Sequence, residues 1–209
     1  MVIFDIAIVL AIILGSLVIH ENAHAIVALR LGDPTARDQG RITLNPLKHL
    51  DIVGSLILPL FLFLAAGSAF GYAKPVPVNR FLLRNGDRGF ALVALAGPAS
   101  NMVIAVLAAF AIRAFGGPGP VGDFLFRVIQ LNVLLAAFNL LPIPPLDGSR
   151  LLRPFVGRGG VMLLDRIEPY GFLILFGLLY LVRPPTFPFD PVGWFVMTVS
   201  RFLVRFLPL

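Results

Sequence analysis

The sequence predicts an all-α polytopic membrane protein of about five to six membrane helices, with a small re-entrant β-hairpin element after the first. Three observations carry that expectation. The 209 residues are 58% hydrophobic and only 13% charged, with a mean hydropathy of +0.91, whereas soluble domains run near half apolar and a quarter charged. Apolar blocks long enough to cross a bilayer recur along the chain. No polar stretch between them is long enough to bury a water-soluble core of its own. The chain therefore reads as a single integral membrane domain over 1–209, with a core at about 3–155 and C-terminal helices at 161–209.

The same composition removes several function classes. A soluble enzyme, a disordered scaffold and a receptor with an ectodomain do not fit it. The absence of cysteine excludes disulfides, thiolate catalysis and sulfur-based zinc sites, so a metal would need histidine and carboxylate. The net charge of +6 comes from basic residues scattered through loops, without a basic face carrying interleaved aromatics. That pattern argues against nucleic acid and for membrane topology, because Lys and Arg mark the cytoplasmic side.

Taken in order, residues 3–31 form the first helix, long enough to cross and emerge from a core of about 30 Å. No basic residue precedes it and no cleavage site follows, so it is expected to be a retained helix rather than a signal peptide. Residues 32–50 are polar and broken by Gly32, Pro34, Gly40 and Pro46 around a strand-like piece at 40–44, which suggests a loop with a small hairpin. Residues 52–70 are apolar but interrupted by Gly54, Pro59 and Gly67, and either cross the membrane or dip in and return. Residues 71–89 are polar, extended and proline-containing. Spans at 90–115 and 124–141 form a hairpin around a Gly/Pro turn. A helix-like run at 161–182 carries a kink at Pro169, and the block at 192–209, with Arg201 and Arg205 four apart, either spans or lies in the interface.

The chemistry is concentrated near the end of the first helix, in His20-Glu21-Asn22-Ala23-His24. Residues i and i+4 share a helix face, so both imidazoles can reach one metal ion, with Glu21 beside them able to take a proton from metal-bound water. Two polar side chains packed inside a bundle would be the bland alternative. Three ionisable groups in one turn of a spanning helix favour the metal, since each is costly there.

A catalytic zinc usually has three protein ligands. Candidates for the third are His49, Asp51, Asp147 and, less well placed, Asp33 or Glu168. Asp147 is preferred: it follows the prolines of 142–145, which must break a membrane helix, and Gly148 allows close backbone approach. Topology points the same way. If 52–70 returns to its own side, Asp147 comes to the end of the bundle that holds the histidines. That face then gathers Arg30, Arg37, Arg41, Lys48, Lys74, Arg80, Arg84, Arg88, Arg150, Arg153, Arg158 and Arg166, as the positive-inside rule requires. His49 is expected to be an interfacial loop histidine paired with Asp51, with a place near the active-site entrance as the alternative, Asn101 a helix-packing or hydrogen-bonding residue, and Trp194 an interface anchor.

HENAH on a first apolar helix, Gly97-Pro98-Ala99-Ser100-Asn101 on a second, and Asn139-x-x-Pro142-x-x-x-x-Asp147-Gly148 closing a third together resemble the site-2 protease family of intramembrane zinc metalloproteases. The resemblance spans about 13–153. It implies one zinc ion per chain on His20, His24 and Asp147, Glu21 as general base, and Asn139 near the substrate carbonyl as an orienting or oxyanion group. The charge distribution places the site toward the cytoplasm, and the resemblance implies a multi-pass protein of the plasma membrane with transmembrane proteins as substrates. The polar strands after the first helix would be the family's membrane re-entrant β element. No PDZ or CBS domain is expected, as in compact bacterial or archaeal members. A competing class is a non-proteolytic intramembrane metal-binding or transport protein. Glu21 argues against it, because a transporter needs no general base beside its ligands, and the chain shows no repeated half.

Overall fold

The computed structural model describes residues 2–57, 64, 71, 72, 74–116, 119–182 and 187–208. Three helices in it are long and apolar enough to cross a membrane. The first, α1 (Val2–Arg30), is followed by a single helical turn, α2 (Thr35–Asp38). The polar chain continues through short turns at Pro46–Lys48 and Ile52–Ile57. The other two long helices are α3 (Asp87–Phe115) and α4 (Pro120–Asn139). Shorter helices close the chain: α5 (Asp147–Leu152), α6 (Gly157–Ile167), α7 (Gly171–Tyr180) and α8 (Pro191–Val204).

The long helices are joined by small residues rather than large ones. Ala105, Ala108 and Ala109 of α3 meet Ile129 and Val133 of α4, which lets the backbones approach closely, the usual solution where lipid removes the hydrophobic drive for helix association. Ala28 of α1 packs with Phe90 and Val93 of α3. Outward, Phe4, Ile6, Leu10, Leu107 and Phe110 remain exposed, as lipid-facing residues must. His24 reaches Val93 while His20 reaches Asn101, so α3 runs antiparallel to α1. Arg127 pairs with Asp5 at 2.9 Å, so α4 begins where α1 begins and ends beside the histidines' end of the bundle. Helix α8 packs Val192 and Val196 against Ala137, Leu141, Leu146 and Leu175.

Two sequence expectations are corrected. The first is the count of five to six membrane helices: among the described residues, three are long and apolar enough to cross. The run at 161–182 is divided by a tight turn at Glu168–Tyr170 containing Pro169, giving helices of 11 and 10 residues. Each is about half the ~20 residues a span needs. Gly171 lies so close to the Pro144–Pro145 backbone that a Cβ would collide with it. Helix α8 is 14 residues, also short of a span.

The second correction is the re-entrant β-hairpin: no strand occurs among the described residues. The polar segments are extended, but their backbone groups are held by side chains and isolated backbone bonds instead of a ladder. Thr43 O accepts from Asn22 Nδ2 at 2.7 Å and from His49 Nε2 at 2.9 Å. In the segment 74–79, Pro75 and Pro77 have no N–H to offer. Lys74 N donates to His49 O at 2.8 Å, Lys74 O accepts from Arg41 Nη2 at 2.6 Å, Val76 N donates to Glu21, and Asn79 N donates to Asp33 Oδ2 at 2.6 Å. Most of 52–70 lies outside the described residues. Its two flanks meet, however: Tyr72 N donates to Gly54 O at 3.0 Å and Ser55 Oγ to Tyr72 O at 2.9 Å.

Candidate metal centre

The helical repeat puts His20 and His24 on one face of α1, with ring centroids 4.6 Å apart and planes at 83°. Asp147 arrives from a different part of the chain. Pro142, Pro144 and Pro145 stop α4 from continuing, and the chain turns so that Asp147 opens α5 directly under the histidines. Gly148 permits this, since a Cβ there would collide with the carbonyls of Leu140 and Leu141. The Asp147 Oδ2 atom lies 3.3 Å from Nε2 of each histidine, and the two Nε2 atoms are 3.0 Å apart. All three residues are buried.

Hydrogen-bond partners decide which ring nitrogens face inward. His24 Nδ1 lies 2.7 Å from the Val93 carbonyl, which can only accept, so Nδ1 carries the proton and Nε2 presents a lone pair. For His20 the assignment runs through two buried amides. Asn132 Nδ2 donates to Val128 O, so its Oδ1 accepts from Asn101 Nδ2 at 2.9 Å. Asn101 Oδ1 is thereby turned to His20 Nδ1 at 2.6 Å and accepts its proton. Both imidazoles thus aim an acceptor at the centre, where Asp147 Oδ2 supplies another and has no hydrogen-bond partner of its own.

Three buried acceptors with ligand atoms within 4.8 Å of one another repel unless a cation lies between them. Two imidazoles and a carboxylate form a donor set suited to zinc, and the outer hydrogen bonds are the support that orients metal-bound histidines. Gly97 completes the cradle, for a Cβ at this position would press on His24 Nε2 and the His20 ring. The residues present therefore fit a metal ion.

Glu21 projects beside the pair, half-buried, and its Oε2 accepts from Val76 N at 2.9 Å. Asn139 sits at the C-terminal end of α4, and its amide donates to the Leu135 carbonyl at 2.9 Å along its own helix rather than toward the triad. The other candidate ligands lie elsewhere. Asp33, fully buried, ties Thr35 N and Asn79 N. Asp51 accepts from Gly54 N, and Glu168 lies 3.8 Å from Arg150. His49 is buried and bonded to Thr43 O rather than to Asp51. Asn132 was not anticipated from the sequence, although an amide in the middle of an apolar helix is itself a signal. Asn22, the first variable position of the HENAH motif, clamps the polar loop to α1 through Thr43 O.

Comparison with known proteins agrees with this geometry. The description "Peptidase family M50" matches residues 118–182. YwhC of Bacillus subtilis is 40% identical over 178 residues, covering 81% of this chain and 77% of its own length. Rip2 of Mycolicibacterium smegmatis is 36% identical over 198 residues, covering 91% and 74% respectively. MJ0611 of Methanocaldococcus jannaschii is 36% identical over 107 residues, covering 48% and 53%. All three carry names that make them candidate zinc metalloproteases. No solved structure matches. The chain belongs to peptidase family M50, the site-2 protease family: a membrane-embedded metalloprotease, and hence a hydrolase.

Proposed function

We propose that this chain is an intramembrane zinc endopeptidase that hydrolyses peptide bonds in or near transmembrane segments of membrane proteins, in regulated intramembrane proteolysis. The observation that carries the reading is the buried convergence of His20 Nε2, His24 Nε2 and Asp147 Oδ2 beside the carboxylate of Glu21, the residue next to His20. His20, His24 and Asp147 would hold one zinc ion. Zinc in such a site supplies Lewis acidity, bringing the pKa of water to about 7 and polarising a carbonyl.

The remaining roles belong to the chain. Glu21 Oε1 would take the proton of the attacking water and return it to the leaving amine, while Oε2 stays tied to Val76 N. Asn139 retains a second amide hydrogen beyond the one given to Leu135, and would donate it to the substrate carbonyl oxygen. Water needs a route, and an open cavity of about 600 Å³ beside Val76, lined also by Arg80, Arg150 and Glu168, supports one. The gathering of Arg41, Arg80, Arg150 and Arg153 at this end supports a cytoplasmic site in the plasma membrane.

The test is metal content of the detergent-purified protein, wild type against Asp147→Ala and His24→Ala, followed by cleavage of single-span substrates by wild type and Glu21→Gln. Near-stoichiometric zinc lost in both ligand variants, with cleavage lost but zinc kept in Glu21→Gln, is expected. Zinc retained by Asp147→Ala would remove the third ligand. Zinc-loaded wild type that cleaves no membrane substrate would favour a non-proteolytic metal-binding role.

A further inference from the structure

A second polar site lies away from the metal centre, at the end of the bundle where α3 begins. An open groove of about 850 Å³ runs between the start of α3 and helix α6, within the size range of small-ligand sites. Its floor is Arg153, 3% exposed and held by Asp87 at 3.1 Å and Asp165 at 2.8 Å. Arg88 and Arg158 also line it and have no ion-pair partner among the described residues. Against the single carboxylate of Asp87, the lining therefore carries an excess of positive charge.

The remaining wall is apolar. Pro154, Val161 and Met162 line it, and the apolar surface continues outside the groove over Phe155, Met162 and Leu163, which are 83%, 65% and 57% exposed. Helix α6 is too short to cross a membrane, and its exposed apolar residues beside cationic ones have the pattern of a helix lying in the interface. Position agrees: Asp87 and Arg88 are the first residues of a span, so the groove sits at headgroup depth. A soluble phosphate would use the arginines and leave the apolar wall exposed, whereas a lipid occupies both.

We propose that this groove binds the headgroup phosphate of an anionic phospholipid, with Arg88 and Arg158 contacting the phosphate and an acyl chain lying along Met162 and Leu163. The inference rests on the membrane-embedded fold and is independent of the metal chemistry. Arg153, already satisfied by its two carboxylates, sets the floor and is not the main contact.

Native mass spectrometry of the detergent-purified protein, offered equimolar phosphatidylglycerol and phosphatidylcholine, tests it. Wild type should retain one phosphatidylglycerol in preference to phosphatidylcholine. The Arg88→Gln/Arg158→Gln double variant should lose that preference by roughly thirtyfold, in line with the attraction of each cation near an anionic headgroup. Arg88→Lys/Arg158→Lys should keep most of it, and Arg113→Gln, at the far end of α3, should keep all of it. Thermal melting alongside identifies any variant that fails to fold, in which case the single Arg158→Gln variant, on the exposed side of α6, replaces it. Equal retention of the two lipids by wild type, or undiminished preference in the glutamine variants, overturns the proposal. Displacement of the lipid by glycerol 3-phosphate at matching concentration also overturns it, in favour of a soluble phosphate ligand.

Discussion

Asn101 Oδ1 accepts the Nδ1 proton of His20 at 2.6 Å, and its own amide is held by Asn132 from the third span. A residue that touches neither substrate nor reacting atoms therefore fixes which nitrogen of His20 faces the site. Replacing Asn101 with leucine should weaken zinc affinity about 10- to 100-fold, the usual effect of losing such an outer partner. Asn132→Leu should have a smaller effect in the same direction, because Asn101 remains but is free to rotate. Chelator competition measures both, and equal zinc affinity in all three proteins would remove Asn101 from its orienting role.

Gly97→Ala is expected to be more damaging than its size suggests. The added methyl would press on the imidazole nitrogens themselves, not on a flexible chain end. Overpacking of this kind costs about 1–3 kcal/mol where neighbours can shift. Here the shift displaces the ligands, so zinc content should fall further than the melting temperature. Parallel metal analysis and thermal melting of the variant would separate the two.

Glu21 has a structural contact as well as a chemical one. Through Val76 N it holds the extended segment at 74–79 over the metal centre. Glu21→Gln keeps an oxygen able to accept that bond, so the Val76 amide should stay protected while cleavage disappears. Glu21→Ala should lose both, with faster hydrogen exchange at Val76. If exchange at Val76 is the same in all three proteins, the tether is not a significant restraint.

Acid should loosen the far end of that segment. Hydrogen bonds from Arg80 hold the Asp165 carboxyl below its ordinary value of 3.8, against a smaller opposing effect of burial. Burial alone would lower Arg153, but its bonds to Asp165 and Asp87 leave it raised. Because the folded carboxyl titrates lower than the unfolded one, its contribution is full above pH 3.8 and is lost as pH falls through the depressed value. Asp165 is a third exposed, so screening limits the contribution to about 1 kcal/mol or less. Asp165→Asn should remove this acid-dependent part of stability and leave neutral-pH activity close to wild type, as acid melting curves of the pair would register.

How far these features could be seen in the sequence depends on the range over which they act. The pairing of His20 with His24 follows from helix geometry alone, and the approach of Asp147 follows from prolines that end α4 together with the charge distribution of the loops. The hairpin expected around 40–44 does not form because that piece has no partner strand: Thr43 O is taken by Asn22 of α1 and by His49, contacts that no local pattern shows. The run at 161–182 has the composition of one span, but the turn at Pro169 divides it and Gly171, two residues later, must pass against the Pro144–Pro145 backbone, a distant contact that composition does not show. Contacts such as Glu21 to Val76 and Asn101 to Asn132 link residues 55 and 31 positions apart, and no local pattern announces them.

The two histidines stand on α1, yet the acceptors that orient them, Val93 O and Asn101 Oδ1, both stand on α3. A slip of α3 by one residue would turn it by about 100° and advance it by 1.5 Å, carrying both acceptors off the imidazoles at once. Gly97 enforces the same register, since a slip would bring a side chain against the imidazoles where only glycine fits. Bound metal consequently reports registry: in any detergent, lipid or variant, a chain that holds its ion has α1 and α3 paired in phase.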